Sequence, residues 1–461
     1  MTTAIHWFRR DFRLTDNTAL NAALAAHEHV IPVYILSTWK REHRWTGPPR
    51  QEFLCGCLAE LAKSLAAKGG QLIVRQGAAD QELQKLARES GATAIYFNRD
   101  PDPFGRSMEA AIGSMAVAGG ISIHSFKDIA LHEREEVLTG TGQPYRVFTP
   151  YSRAWRLREK LQPSGTVSRI STPPDIPSLP LPTLATWELT SDAEIIAPGE
   201  AAARQRLDHL LEKIAGNYAE ERNFPAAGST SRISQDLRHG LLSIREVYQR
   251  LIEAAERGTA VQRRSFETFL NELIWREFYM QVLWFRPDVL EREYQPETRG
   301  LVWREPGEEY EAWKAGQTGF PIIDAGMRQL RSTGFLHNRV RMIVAMFLTK
   351  DLHISWKAGE QWFHQRLVDA EIASNNGGWQ WSASTGTDAA PYFRIQNPWT
   401  QAKRFDPDGE YIRRWVPELR DVRTAHLFAP PPAGECITPR YPPPIVDHAR
   451  ERDVALEMFR R

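Results

Sequence analysis

Between residues 4 and 128, short apolar runs alternate with helical ones, and no other feature constrains the fold as much. Ile5 to Phe8, Val30 to Leu36, Leu72 to Val74, Ala94 to Phe97 and Ile121 to Phe126 read as buried strands. Among the intervening segments, Arg50 to Lys68 puts Phe53, Leu54, Cys57, Leu58, Leu61 and Leu65 on one helical face before Gly69-Gly70 stops it. Strand and helix alternating in this way imply a doubly wound parallel sheet covered on both faces. No G-x-G-x-x-G follows any strand. Gly140-Thr141-Gly142 lacks the third glycine and the strand-to-helix context, so the usual dinucleotide fingerprint is absent.

Seven prolines between Pro163 and Pro198, with no sustained period, predict an extended surface linker. Beyond it the spacing becomes helical, over Glu200 to Ile214, Ile244 to Ala255, Phe266 to Leu283, Gly326 to Ser332 and Arg339 to Lys350. The expected fold is therefore α/β plus all-α: an N-terminal sheet domain over 1–130, a linker over 131–199 and a helical domain over 200–461. A chain of 461 residues, 42% hydrophobic and 25% charged, suits two or three globular domains. Three cysteines, two of them at Cys55 and Cys57 on one expected helix, argue against a disulfide framework. Met1 to Leu20 carries Arg9, Arg10, Asp11, Arg13 and Asp16, which excludes a signal peptide or a membrane span there. A soluble, cytoplasmic protein is expected.

The most unusual stretch is Asn375-Asn376-Gly377-Gly378-Trp379-Gln380-Trp381. Gly and Asn disfavour helix, and Gly gives a strand nothing to pack. The pattern predicts the irregular wall of a pocket for a planar molecule with polar edges; taken alone it reads equally as an aromatic core turn. The net charge of +1 gives no signal for nucleic acid over the whole chain, so any such signal is local. Gly326 to Lys350 carries Arg328, Arg331, Arg339, Arg341 and Lys350 with no acid, and Pro391 to Arg404 carries Arg394, Lys403 and Arg404 unopposed. A basic run alone is usually a solvated face. Interleaved with Trp275, Trp379, Trp381 and Trp399, these runs point to a groove that contacts phosphates and stacks bases.

Glu272, Trp275, Arg276 and Tyr279 fall at i, i+3, i+4 and i+7 and so share one helix face. Spacing alone leaves two readings, a structural ion pair or a carboxylate aimed at a ligand. Tyr218 to Pro225 with Thr230 to Ser234 reads as a cap and surface turn or as a phosphate cradle.

Leu270-Asn271-Glu272-Leu273-Ile274-Trp275-Arg276-Glu277-Phe278-Tyr279, Thr318 to Ala325, Leu336-His337-Asn338-Arg339-Val340-Arg341-Met342 and Asn375 to Arg394 form an ordered set. This set resembles the photolyase and cryptochrome family, and within it the bacterial class I cyclobutane pyrimidine dimer photolyases. The resemblance implies light-driven splitting of the dimer by an electron from excited, reduced FAD, with the lesion flipped out of the duplex. By the same resemblance Tyr218, Thr230, Ser231, Arg232, Ile233, Ser234, Phe269, Arg341, Asp369, Ala370, Glu371 and Asn375 hold FAD. Glu272, Asn338, Met342 and Asn375 serve the reaction. Arg222, Trp275, Arg276, Tyr279, Arg339, Trp381, Arg394, Gln401 and Lys403 join Glu272 and Asn338 in contacting DNA and lesion. Trp303, Trp356 and Trp379 correspond to the tryptophans that carry electrons to the flavin. The family commonly has Asp where Glu371 stands and Trp where Phe269 stands.

A light-harvesting antenna is expected in the first domain. Asn98 to Arg106 with Arg50 resembles the deazaflavin-binding members, which favours 8-hydroxy-5-deazaflavin over methenyltetrahydrofolate or FMN, with Arg50, Asp100, Asp102 and Arg238 as its contacts. The expected partner is UV-damaged DNA, met by a monomer. Two rivals remain: a cryptochrome photoreceptor, although plant members place Asp where Asn375 stands, and a six-four photolyase, although that family has His at Asn338 and Met342.

Overall fold

The computed structural model describes residues 2–460. Its sheet has five parallel strands: β1 Thr3–Trp7, β2 His29–Leu36, β3 Ile73–Gln76, β4 Ala94–Asn98 and β5 Ser122–Phe126, in the order β3-β2-β1-β4-β5. Every expected strand is present, and β1 and β4 are almost wholly buried, as strands covered on both faces must be. The order reverses between β1 and β4, and in such sheets the crevice at the carboxyl ends beside the reversal is the usual ligand site. Here the chain fills that crevice with its own charges. Arg10, just past β1, binds Asp100 Oδ1 at 2.9 Å and Asp102 Oδ2 at 3.2 Å, just past β4, and also pairs with Glu371 from the helical half.

The linker is irregular from Pro163 to Pro198 apart from a short 3-10 turn over Leu184–Trp187. Leu179 N–H donates to the Val74 carbonyl at 2.9 Å, so the linker covers the exposed edge at β3. Within 131–199, however, the structure shows a helix over Phe148–Leu157 that the linker reading lacked. Tyr151, Ser152 and Trp155 form its buried stripe, a spacing short enough to be hidden between prolines and loops.

Beyond the linker the chain is helical. The 26-residue helix Ala260–Phe285 is its spine, started by a capping box between Thr259 and Gln262. Asn375 to Trp381, expected to be irregular, lies inside a second helix, Ile372–Ala383. Two interior glycines cost about 1 kcal/mol each, and tertiary contacts offset this. A Cβ on Gly377 would sit 2.1 Å from the Tyr279 ring, so only glycine lets the two helices approach this closely. Asn376 Nδ2 donates to Glu360 and to the Val289 carbonyl, both at 3.0 Å, and Gln380 Nε2 donates to Val289 at 2.9 Å. Ser384 ends the helix at φ 64°. No helix among the described residues is long and apolar enough to cross a membrane.

Candidate functional site

The faces of these helices enclose a cavity of about 500 Å³. The helix Ala260–Phe285 contributes Phe269, Glu272, Trp275, Arg276 and Tyr279, so the i, i+3, i+4, i+7 face does line one wall. Asn338 and Met342, one turn apart on the helix Asn338–Met346, line another. The helix Ile372–Ala383 adds Asn375, Gly378, Trp379 and Trp381. The segment Thr230 to Ser234 and Tyr218 complete the lining. Every residue assigned to FAD by resemblance therefore lines one cavity together with the lesion residues Glu272, Asn338 and Met342.

Several features of this lining fit FAD. Gly378 has nothing within 4 Å of a built Cβ, so a flat ligand can approach its backbone. Arg232 sits at φ 51°, its guanidinium 3.8 Å from the Phe335 ring centroid and its Nε buried without a hydrogen-bond partner. Burial lowers its pKa against the opposing pull of Asp369. A half-buried cation with a free, buried Nε donor beside Thr230, Ser231 and Ser234 suits a diphosphate. Asp369 is held by Arg341 at 2.8 Å and by Ser234 Oγ at 2.6 Å. The Asn375 amide donates to the Glu360 carbonyl at 3.0 Å, which fixes how it faces the cavity.

Two residues of the lining carry contacts beyond those expected of them. Glu371 is buried against Arg10 and lies 3.1 Å from Arg276. Burial would raise its pKa, but Arg10, Arg276 and Arg238 override it and hold the carboxylate well below the usual range. Arg276, expected on DNA, instead donates to Glu371, to the Ile129 carbonyl at 2.8 Å and to the Leu237 carbonyl. It ties the helical half to the chain leaving the sheet. The antenna set is likewise engaged: Arg50 and Arg238 both donate to the Ala370 carbonyl, at 2.6 and 3.1 Å, and Asp100 and Asp102 hold Arg10. All four meet at the β1/β4 crevice, where they join sheet domain to flavin segment. Arg10 was absent from the site residues read from sequence, although its place at the end of the central strand marked it.

The basic run from Gly326 to Lys350 is not a solvated face. Arg328 pairs with Glu418 at 2.8 Å, Arg341 with Asp369, and Lys350 is fully buried under Phe459 at 3.4 Å. Their partners come from distant sequence, so a local charge count misses them. Arg394 and Lys403 are exposed, as expected for phosphate contacts, and Gln401 is half-buried near them. Arg339 lies 2.6 Å from Asn223 Oδ1 and stacks on Phe405 at 4.5 Å.

Trp379 and Trp356 are buried in one apolar cluster, and the half-buried Trp303 packs against it. A Cβ on Gly359 would sit 2.1 Å from the Trp379 ring, so that glycine seats the indole. Trp356 Nε1 donates to Glu293 at 3.1 Å. Phe363 and Trp313 also meet Trp379 edge-on, at 4.9 and 6.1 Å, and were not singled out in the sequence because nothing in their spacing marks them.

A doubly wound sheet domain docked on a helical domain, around one cavity lined by the hydroxyls of Thr230, Ser231 and Ser234 and by aromatic rings, has the layout of a two-domain flavoprotein. Residues 4–173 match the DNA photolyase family model, and residues 269–461 match the model for the FAD binding domain of DNA photolyase. The chain belongs to the DNA photolyase family. It is 39% identical to a deoxyribodipyrimidine photo-lyase of Halobacterium salinarum over 99% of this chain and 98% of that one. It is 38% identical to the Escherichia coli protein of the same name over 100% and 98%. Among solved structures, a bacterial class III photolyase from Agrobacterium tumefaciens superposes with a TM-score of 0.92 at 37% identity, covering 100% of this chain and 97% of that one. A Synechocystis cryptochrome superposes at 0.91 with 28% identity, covering 99% of each. Class I membership, expected from sequence, is not resolved by relatives that include a class III structure.

Proposed function

We propose that this chain repairs cyclobutane pyrimidine dimers in DNA under blue or near-UV light. The observation that supports this reading is one cavity, open to solvent, whose lining brings together the residues assigned to flavin and those assigned to the lesion. Reduced FAD, when bound, supplies the electron that opens the ring and takes it back. The chain's own residues do the rest. Trp275 and Trp381 offer π-faces to a flipped-out lesion, and such stacking is worth roughly 1–3 kcal/mol per base, enough to offset much of the extrusion cost. Glu272 and Asn338 present polar atoms to the pyrimidine edges, and Met342 packs without a proton to give.

The dimer is favoured over the six-four lesion by the acid chemistry of this wall. Returning a transferred hydroxyl needs a general acid. The histidine beside Asn338 is His337, whose Nδ1 accepts from Arg339 N–H at 3.1 Å as a helix cap. Burial, with Arg341 and Arg339 nearby, pushes it down to about 4, so it is neutral near pH 7.

An antenna chromophore, 8-hydroxy-5-deazaflavin ahead of methenyltetrahydrofolate or FMN, would have to displace the contacts that Arg50, Asp100, Asp102 and Arg238 already make. Chromophore released by acid from purified protein identifies it by absorption and fluorescence. The repair reading is tested with reduced protein and a dimer-containing duplex, in light and in darkness: restoration in light alone supports it, and none in either condition overturns it.

A further inference from the structure

The linker helix Phe148–Leu157 reaches the cavity wall from behind. The Phe148 ring lies 3.8 Å from the Trp275 ring at an interplanar angle of 3°. Trp275 lines the cavity and Phe148 does not, so Phe148 covers the indole face turned away from the ligand space. Phe278 meets the same indole edge-on at 5.5 Å, and Tyr279 leans on it at 5.4 Å. A near-parallel pair at this distance fits the offset stack that aromatic rings favour, and the backbone around Phe148 holds it there.

The helix is held at both ends. Phe148 N–H donates to Asp388 Oδ2 at 3.1 Å, and Thr387 Oγ1 donates to the Arg146 carbonyl at 2.6 Å, a clasp from the loop that follows the helix Ile372–Ala383. At the other end Trp155 Nε1 donates to Glu277 Oε2 at 2.6 Å. That buried carboxylate also accepts from Leu131 and His132 N–H, at 2.6 and 3.2 Å. Arg156 adds Glu267 at 2.7 Å and Asn271 at 3.0 Å, both on the helix that carries Trp275.

We propose that Phe148 is a positioning residue for lesion recognition, fixing the Trp275 indole so that a single face at a single height is offered to a flipped-out dimer. The proposal rests on the repair reading above. An indole already confined loses little rotamer freedom when a ligand stacks on it, and this preorganisation favours binding. Undamaged bases remain in the duplex and do not reach Trp275, so the gain is selective for damaged DNA.

The test compares wild type, Phe148→Ala, Phe148→Leu and Trp275→Ala, binding dimer-containing and undamaged duplexes in the dark. Phe148→Ala is expected to lose about three- to tenfold in affinity for the dimer duplex alone. Its FAD spectrum, its light-driven flavin reduction and its repair rate at saturating DNA stay as in wild type. Combined with Trp275→Ala it adds no further loss, since both act through one stack. Phe148→Leu keeps apolar volume without a ring and carries the same comparison if the alanine variant fails to hold FAD. Unchanged dimer affinity, equal loss on both duplexes, or losses that add with Trp275→Ala would overturn the proposal. Wild-type protein with no preference for the dimer duplex would instead overturn the repair reading.

Discussion

Arg222 Nη1 and Glu272 Oε1 lie 2.5 Å apart on the cavity wall, with side chains 25% and 32% exposed. An ion pair this open contributes little to stability. It keeps a carboxylate poised at the lesion site and a guanidinium free to exchange onto a phosphate. Glu272→Ala is expected to retain FAD and to repair about 10- to 100-fold more slowly, the scale of one lost charge-assisted hydrogen bond. Flavin absorbance and the single-turnover repair rate read the two effects separately.

Arg222, Arg339, Arg394 and Lys403 are expected to neutralise phosphates. Four such contacts give a log–log salt slope of about −3 to −4, near −0.9 per phosphate. Arg394→Ala should make it shallower by about 1, read by titration at several salt concentrations. Salt-independent binding would remove the groove from the account.

Trp379→Phe is expected to block reduction of oxidised FAD by light while leaving repair by chemically reduced enzyme largely intact. Trp379 lines the cavity and shares one apolar cluster with Trp356, against which Trp303 packs. Loss of both activities with FAD still bound would make Trp379 a substrate residue.

Much of this was legible in the residues. The five strands follow from short apolar runs that alternate with helical ones, and the Glu272-to-Tyr279 face follows from its helical spacing. What escaped was set by partners distant in sequence. Tyr279 packing into Gly377 turned an apparently irregular stretch into helix, and Glu418 absorbed an arginine, Arg328, that looked free. Arg276 looked like a DNA contact until Glu371 and the Ile129 carbonyl took its donors. The helix of Phe148 was missed because its buried stripe is only three residues wide.

Lys350 is fully buried, its Nζ has no hydrogen-bond partner, and burial pushes its pKa down to about 7. The unfolded chain binds its proton up to about pH 10.4, so stability from this group is present above that pH and is lost as pH falls toward 7. Lys350→Met should raise Tm by several degrees near pH 7 and flatten the rise in stability between pH 7 and 10. Thermal melts across that range decide it; a Tm lowered at pH 7 would show that the contact with Phe459 outweighs the burial cost.

Dimer repair by a cavity wall with no histidine among the described residues that line it meets its most direct test in one measurement. Fully reduced protein is illuminated with duplexes carrying a cyclobutane dimer or a six-four photoproduct, and the products are analysed separately. The account expects the cyclobutane dimer to revert to two pyrimidines and the six-four lesion to remain. Turnover of the six-four lesion, or of neither lesion with FAD reduced and bound, would contradict it.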